Sequence, residues 1–282
     1  MSLKSLLAEK RAVLVPGAPN ALAARLIETL GFEAIYVTGA GVTNMGLGLP
    51  DLAFIDLTQL AGVTSAIREV TTLPLIVDAD TGFGNAVNVG HSVRVLERAG
   101  ADAIQMEDQV SPKRCGHFDG KSVVDAGEMI GKIHAAVDAR QSEETLVMAR
   151  TDARAVEGLE AALERAQRYI EAGADILFVE APRGKEELAA IARLPAPQVV
   201  NMVVGGKTPI VDQAELAAMG FAMTLYANVA LQSAILGMRH ALTALKEQGR
   251  MDEGPLLAGF AERQDLVRTS HFTALGTHYA GP

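Results

Sequence analysis

Short apolar runs alternate with amphipathic stretches along the whole chain. Runs rich in Val, Ile, Leu and Phe fall at Ala12–Val15, Ala34–Thr38, Pro74–Asp78, Ala103–Glu107, Thr145–Ala149, Ile176–Glu180, Gln198–Met202 and Ala222–Tyr226. Their apolar character is nearly continuous rather than alternating, which predicts parallel strands covered on both faces. Helical patterns lie between them. Asn20–Leu30 opens on a capping Asn and ends before Gly31, Leu159–Glu171 stops at Gly173, and Asp212–Met219 stops at Gly220. Glycine at these points suits a left-handed helix terminus. Two pairs of segments echo each other: Arg98–Glu107 with Glu171–Glu180, and Leu30–Val37 with Met219–Tyr226. Eight such units predict a (β/α)8 barrel. A doubly wound sheet is the alternative, but no Gly-x-Gly-x-x-Gly follows the first strand. No Ser- or Pro-rich linker divides the chain, so residues 1–282 are read as one domain. The barrel is expected over residues 12–239 and a C-terminal helical arm over residues 240–282.

Composition narrows the class. With 49% apolar and 21% charged residues the chain folds rather than staying disordered. A net charge of −9 disfavours nucleic acid as a partner. No run reaches the roughly 20 apolar residues of a membrane helix, and the first ten residues lack the apolar core of a secretory signal, so a cytoplasmic location is expected. A single cysteine excludes an internal disulfide framework and a multi-thiolate zinc site.

In a barrel of this kind the chemistry sits where strands end. Asp78 and Asp80 follow the third strand and Glu107 ends the fourth. Three converging carboxylates repel one another unless a cation joins them, and oxygen-only donors suit Mg²⁺ or Mn²⁺; singly, each reads as a solvated loop acid. Gly39 and Gly41 after the second strand free backbone N–H groups for an anion, with the Thr38 hydroxyl beside them. Arg150, ending the fifth strand, either grips a carboxylate in bidentate fashion or forms a structural ion pair with Glu180 or an aspartate. Cys115 lies in the polar segment Ser111–Lys121, where Lys113, Arg114 and His117 would lower its pKa and Gly116 and Gly120 would let the segment move as a lid. A buried apolar cysteine is the bland alternative. His91, His134, His240, His271 and His278 read as surface or packing residues. No lysine ends a predicted strand, which weakens a Schiff-base aldolase.

Taken together, Tyr36–Gly41, Gly48–Asp51, Val77–Gly84, Glu107–Gln109, Lys113–His117, Met148–Ala153 and Gly206–Pro209 resemble the isocitrate lyase/phosphoenolpyruvate mutase superfamily, in the right order from about Val15 to Gly237. The resemblance implies Mg²⁺ held by Asp78, Asp80 and Glu107, partly through water. It implies a 2-oxo acid or its enolate bound by Thr38, Gly39, Ala40 and Arg150, with Tyr36, Asp51, Gly116, His117, Glu180 and Asn201 lining the pocket. Cys115 marks the lyase branch, with Arg150 and His117 beside it in the catalytic set. The resemblance also implies a homotetramer whose C-terminal helix is exchanged between subunits. The segment after His117 reads Phe-Asp-Gly-Lys rather than the Arg-Pro-Asn-Lys expected of methylisocitrate lyases, and Val204 stands where relatives commonly carry a glutamate. The expected activity is cleavage of a 2-hydroxy di- or tricarboxylate of dimethylmalate or methylisocitrate type to a 2-oxo acid and a carboxylic acid. The alternatives are oxaloacetate hydrolysis or decarboxylation, phosphoenolpyruvate mutase or phosphonopyruvate hydrolase chemistry, and a non-catalytic metabolite-binding barrel.

Overall fold

A computed structural model describes residues 2–116, 118 and 120–280. Every expected apolar run forms a strand: β1 (Val13–Ala18), β2 (Ile35–Val37), β3 (Leu75–Asp78), β4 (Ala103–Glu107), β5 (Leu146–Thr151), β6 (Ile176–Val179), β7 (Gln198–Asn201) and β8 (Met223–Tyr226). They close in sequence order into a parallel barrel, with β8 pairing back onto β1. Helices alternate with the strands, giving the (β/α)8 fold. The expected caps are present. Asn20 accepts from the Ala23 amide at 3.0 Å and Asp212 from the Glu215 amide at 3.0 Å. Gly31, Gly173 and Gly220 adopt φ of 82°, 102° and 104°.

Inside each strand a period of two governs what faces the barrel axis. The inward residues begin apolar: Ile76 on β3, Ala103 on β4, Met148 on β5, Phe178 on β6, Val199 on β7 and Leu225 on β8 share one buried cluster. The unforeseen helix Leu3–Ala8, capped by Ser2, contributes Leu3, Leu6 and Leu7 to it. Two or four residues further along the same faces stand Asp78, Gln105 with Glu107, Arg150, Glu180 and Asn201. An apolar interior thus becomes a charged mouth without any change of register. The outward residues, such as Val37, Val77 and Val147, pack in a second buried cluster with the helices.

β1 runs further than its apolar pattern suggests, through Pro16 and Gly17 to Ala18. Pro16 pairs with Tyr226 across the closing seam, and Gly17 lies against the backbone of Ala227. A Cβ at Gly17 would come within 2.6 Å of the Ala227 carbonyl carbon.

The chain forms two compact units, Met1–Val229 and Ala230–Pro282. The second consists of the greater part of the helix Val229–Gln248 followed by Phe260–Leu266 and Thr269–Tyr279, and the last two helices bury no residue. Leu236, Met238, Leu242, Phe260 and Phe272 are exposed there. Among the described residues no helix is long and apolar enough to cross a membrane.

Replacing Gly17 by Ala should push the β1–β8 seam apart at backbone that cannot yield locally. A destabilisation of about 1–3 kcal/mol is expected, read as a fall of several degrees in Tm. An unchanged Tm would show that the seam tolerates a methyl group.

Candidate active site

The strand ends bring most of the expected residues to one small cavity of about 40 Å³. Tyr36, Thr38, Ala40, Asp51, Asp78, Cys115, Gly116, Arg150, Glu180 and Asn201 all line it. Gly39 lies beside it, Asp80 and Glu107 are buried next to it, and His117 falls outside the described residues.

Asp78 is held firmly. Its Oδ1 accepts from Gln105 Nε2 at 3.0 Å and from the Asp80 amide at 3.2 Å, and its Oδ2 accepts from the Gly39 amide at 3.3 Å. Gln105 in turn accepts from the Tyr36 hydroxyl at 2.7 Å, so β2, β3 and β4 are linked by one buried chain of polar groups. Asp80 sits at φ 49°, and its Oδ1 lies 2.9 Å from Lys113 Nζ. Burial, opposed by Lys113 and reinforced by Asp78, raises its pKa to about 7. Glu107 meets Arg150 through Oε2 at 3.3 Å, while its buried Oε1 has no hydrogen-bond partner among the described residues. Burial lifts its pKa well above the usual carboxylate range despite Arg150.

Among the described residues no three His, Cys, Asp or Glu side chains converge closely enough to ligate one ion directly. Direct ligation by Asp78, Asp80 and Glu107 together is therefore not what the geometry offers. A Cβ at Gly39 would nevertheless lie 3.2 Å from Asp78 Oδ2 and 3.3 Å from Asp80 Oδ1, so two carboxylates face the same point. Hard oxygen donors, one of them an unpartnered buried oxygen, fit an ion such as Mg²⁺, which keeps several waters and takes only one or two carboxylates directly.

Thr38 to Gly41 form the start of a helix, Gly39–Leu47, rather than a simple glycine turn. Thr38 caps it, accepting from the Gly41 amide at 3.3 Å, so its first amides and the positive end of its dipole face the cavity region. Arg150 is at once an ion-pair partner and a cavity residue. It is ion-paired to Asp152 (2.9 Å), Glu180 (3.2 Å) and Glu107 (3.3 Å), lies over the Phe178 ring, and still lines the cavity.

The segment carrying Cys115 folds over this mouth from a two-stranded neck. Val110 N donates to Ser122 O at 2.9 Å and Val124 N to Asp108 O at 2.8 Å. The Gln109 side chain brackets the Arg114 backbone, donating to its carbonyl at 2.8 Å and accepting from its amide at 2.9 Å. Two lysines tie the segment down. Lys113 reaches Asp51 at 2.5 Å and Asp80 at 2.9 Å, and Lys121 reaches Asp152 at 2.6 Å and the Gly116 carbonyl. The half-buried Cys115 and the buried Gly116 thereby line the cavity, with Gly116 packed directly against Arg150 and Glu180.

The family profile described as phosphoenolpyruvate phosphomutase matches residues 3–246. This chain belongs to the phosphoenolpyruvate mutase/isocitrate lyase superfamily. It is 44% identical to a 2,3-dimethylmalate lyase of Eubacterium barkeri over 283 residues, covering 99% of this chain and 97% of that protein. It is 46% identical to a 2-methylisocitrate lyase of Aeropyrum pernix over 248 residues, covering 88% and 80%. The crystal structure of a 2,3-dimethylmalate lyase superposes with a TM-score of 0.93 at 31% identity, covering 99% of this chain and 94% of that one. A phosphonopyruvate hydrolase in complex with oxalate and Mg²⁺ superposes with a TM-score of 0.89 at 31% identity, covering 100% of both chains.

The superfamily motifs account for the strand ends but not for everything around them. Lys113 and Arg114 were expected to tune the Cys115 thiol. Lys113 is also paired with two carboxylates, and Arg114 is exposed with its backbone bound by Gln109. Lys121 and Asp152 were not anticipated as a buried ion pair, nor Asp108 as the group beneath it. Asp108 accepts from the Asp152 amide at 2.9 Å, the Thr151 hydroxyl at 2.7 Å and the Tyr169 hydroxyl at 2.8 Å. Gln105 was legible in principle, since it precedes Glu107 by two on the same strand face. Val203, Leu225, Ala227 and Asn228 complete the cavity wall and carry no motif. Val204, where an acid was expected, is 58% exposed and does not line the cavity.

Gly116 sets how closely the segment can seat. A Cβ there would lie 2.6 Å from Glu180 Cγ and overlap the Arg150 guanidinium. Gly116→Ala should hold the segment off the mouth, because the added methyl group meets Arg150 and Glu180 at the strand ends. Faster alkylation of Cys115 by iodoacetamide is the expected readout. Unchanged alkylation would mean that the segment seats despite the methyl group.

Proposed function

We propose that this protein is a divalent-metal-dependent carbon–carbon lyase cleaving the C2–C3 bond of a 2-hydroxy di- or tricarboxylate of dimethylmalate or methylisocitrate type. The products are a 2-oxo acid such as pyruvate and a carboxylic acid. The observation that carries this reading is the seating of Cys115, on a segment latched by two buried lysines, at the same cavity as Arg150 and the strand-end carboxylates. Identity of 44–46% to named lyases supports it.

Cleavage moves the C2 hydroxyl proton to a carboxylate of the cavity, for which Glu180 is placed, forms the C2 carbonyl, and moves the C2–C3 electron pair onto C3. Arg150 holds the carboxylate on C2, and the Ala40 amide at the start of Gly39–Leu47, beside Gly39 and with the Thr38 hydroxyl, donates to its oxygens. Asp78, Asp80 and Glu107 would hold Mg²⁺ or Mn²⁺, partly through water, which supplies positive charge against the oxygens of the forming 2-oxo acid. Cys115 delivers its Sγ proton to C3, giving the carboxylic acid product. His117, Tyr36, Asp51, Gly116, Glu180 and Asn201 complete the binding set. The seated segment excludes water, so that the carbanion equivalent takes its proton from the thiol. The exposed apolar side chains of residues 230–282 support a homotetramer with an exchanged C-terminal helix. A cytoplasmic location fits the same reading.

A coupled assay for released 2-oxo acid, with Mg²⁺ or with EDTA, tests the function. The substrates are 2,3-dimethylmalate, 2-methylisocitrate, isocitrate, citramalate and malate, and oxaloacetate is followed separately by its own loss. Metal-dependent release from one hydroxy acid is expected. Silence there with metal-dependent loss of oxaloacetate would replace the lyase by a hydrolase or decarboxylase. Cys115→Ser should keep oxalate binding and lose about 10²–10⁴-fold in kcat. Near-normal turnover would remove Cys115 from the mechanism.

Metal binding should depend on pH in a definite direction. Burial raises Asp80 to about 7 and lifts Glu107 well above its ordinary value, so both tend to hold protons as pH falls. A cation must displace those protons. Mg²⁺ affinity should therefore weaken as pH drops through about 7, with net proton release on binding, measured by calorimetry in buffers of different ionisation enthalpy. Binding without proton release would contradict the assignment of these carboxylates.

A further inference from the structure

The closed barrel fixes which residues oppose one another. With eight strands in sequence order, β7 stands across the mouth from β3 and β8 across from β4. The carboxylates of the proposed metal site end β3 and β4, so a substrate held there by its hydroxy-acid end must extend toward β7 and β8. Asn201 ends β7 and Asn228 follows β8, and both line the cavity. Asn201 is 8% exposed, and the Oδ1 atoms of both residues are buried with no hydrogen-bond partner among the described residues. A buried carboxamide oxygen facing no donor is costly. Turning either amide by 180° presents Nδ2 instead, at no change of shape. Between them and around them the wall is apolar: Val203, Leu225 and Ala227. The described cations on the cavity are Lys113 and Arg150, each already paired with carboxylates.

We infer that Asn228, together with Asn201, receives the distal carboxylate of the substrate, and that Asn228 is a specificity-determining residue favouring a dicarboxylate with small alkyl groups at C3 over a tricarboxylate. Two neutral amides donate N–H groups to one carboxylate without adding charge, and the apolar wall accepts methyl-sized substituents. With both amides engaged, a further carboxylate would meet on that side only the side chains of Val203, Leu225 and Ala227 and no free cation. The inference rests on the lyase reading for the identity of the near end of the substrate.

The test uses the full-length protein with Mg²⁺, and calorimetry with two probes. Oxalate reports the near end alone, and 2,3-dimethylsuccinate keeps both carboxylates but cannot be cleaved. Asn228→Ala should weaken 2,3-dimethylsuccinate by about 10- to 100-fold, as loss of a hydrogen bond to a charged group does, while leaving oxalate affinity unchanged. Asn228→Asp, of the same shape, should weaken it further because a carboxylate then faces a carboxylate. In the assay the losses should fall on KM for 2,3-dimethylmalate, and the wild type should prefer it to 2-methylisocitrate. Parallel loss of both probes would indicate a merely structural role and overturn the inference. So would an unchanged dicarboxylate affinity, no dicarboxylate binding by the wild type, or a preference for the tricarboxylate. If the wild type releases no 2-oxo acid from any hydroxy acid, the lyase reading fails, and the contrast between the two probes still decides the role of Asn228.

Discussion

Six carboxylates and three cations are gathered at the mouth of the barrel: Asp51, Asp78, Asp80, Glu107, Asp152 and Glu180 against Lys113, Lys121 and Arg150. Most of these groups are buried, where like charges are poorly screened and each unpaired ion loses its hydration. The surplus of negative charge explains several separate observations. It accompanies the burial that raises Asp80 and Glu107, it divides Arg150 among three carboxylates, and it outweighs the burial that would otherwise lower Lys113. It also favours a further cation at β3 and β4 more than any single side chain does.

Two of the three cations arrive on the segment that covers the mouth. With that segment displaced, Arg150 alone would face the carboxylates, so seating is favoured by charge and Cys115 is delivered as a consequence. The base of the segment is anchored independently. Asp108 holds Asp152 and Thr151 from below, Tyr169 of the helix Leu159–Glu171 bonds Asp108, and Arg165 of the same helix donates to the Val124 carbonyl at 2.8 Å in the neck. A fixed neck with a charge-latched tip allows the tip to lift without disturbing the strand ends.

The strands were legible because a parallel sheet buried on both faces leaves unbroken apolar runs, and the strand-end chemistry was legible because polar residues interrupt those runs at one end only. Pro16 and Gly17 hid the end of β1, since both residue types usually break a strand, yet here they belong to the closing seam. The helix beginning at Gly39 was hidden by its glycines, which read as a turn. The pairings of Lys113 and Lys121 join residues 62 and 31 positions apart in the sequence, and no local pattern encodes them. Asn228 carries no motif. Only the closure of the barrel places it opposite the carboxylates.

That opposition divides the cavity into two chemical halves. On the β3–β4 side the groups are charged and rigidly hydrogen-bonded, as Asp78 is through Gln105 and Tyr36. On the β7–β8 side they are neutral amides and apolar side chains. A molecule with a charged, oxygen-rich end and an alkylated end can lie across such a cavity in one orientation at much lower electrostatic cost than in the other. In the proposed reaction the hydroxy-acid end lies on the β3–β4 side, where Asp78, Asp80 and Glu107 would hold a cation, and the distal carboxylate lies against the neutral amides of Asn201 and Asn228. Substitutions among Val203, Leu225, Ala227 and Asn228 would therefore change what departs without touching the groups that hold what remains. One barrel mouth can in this way serve several reactions that share an oxo-acid half.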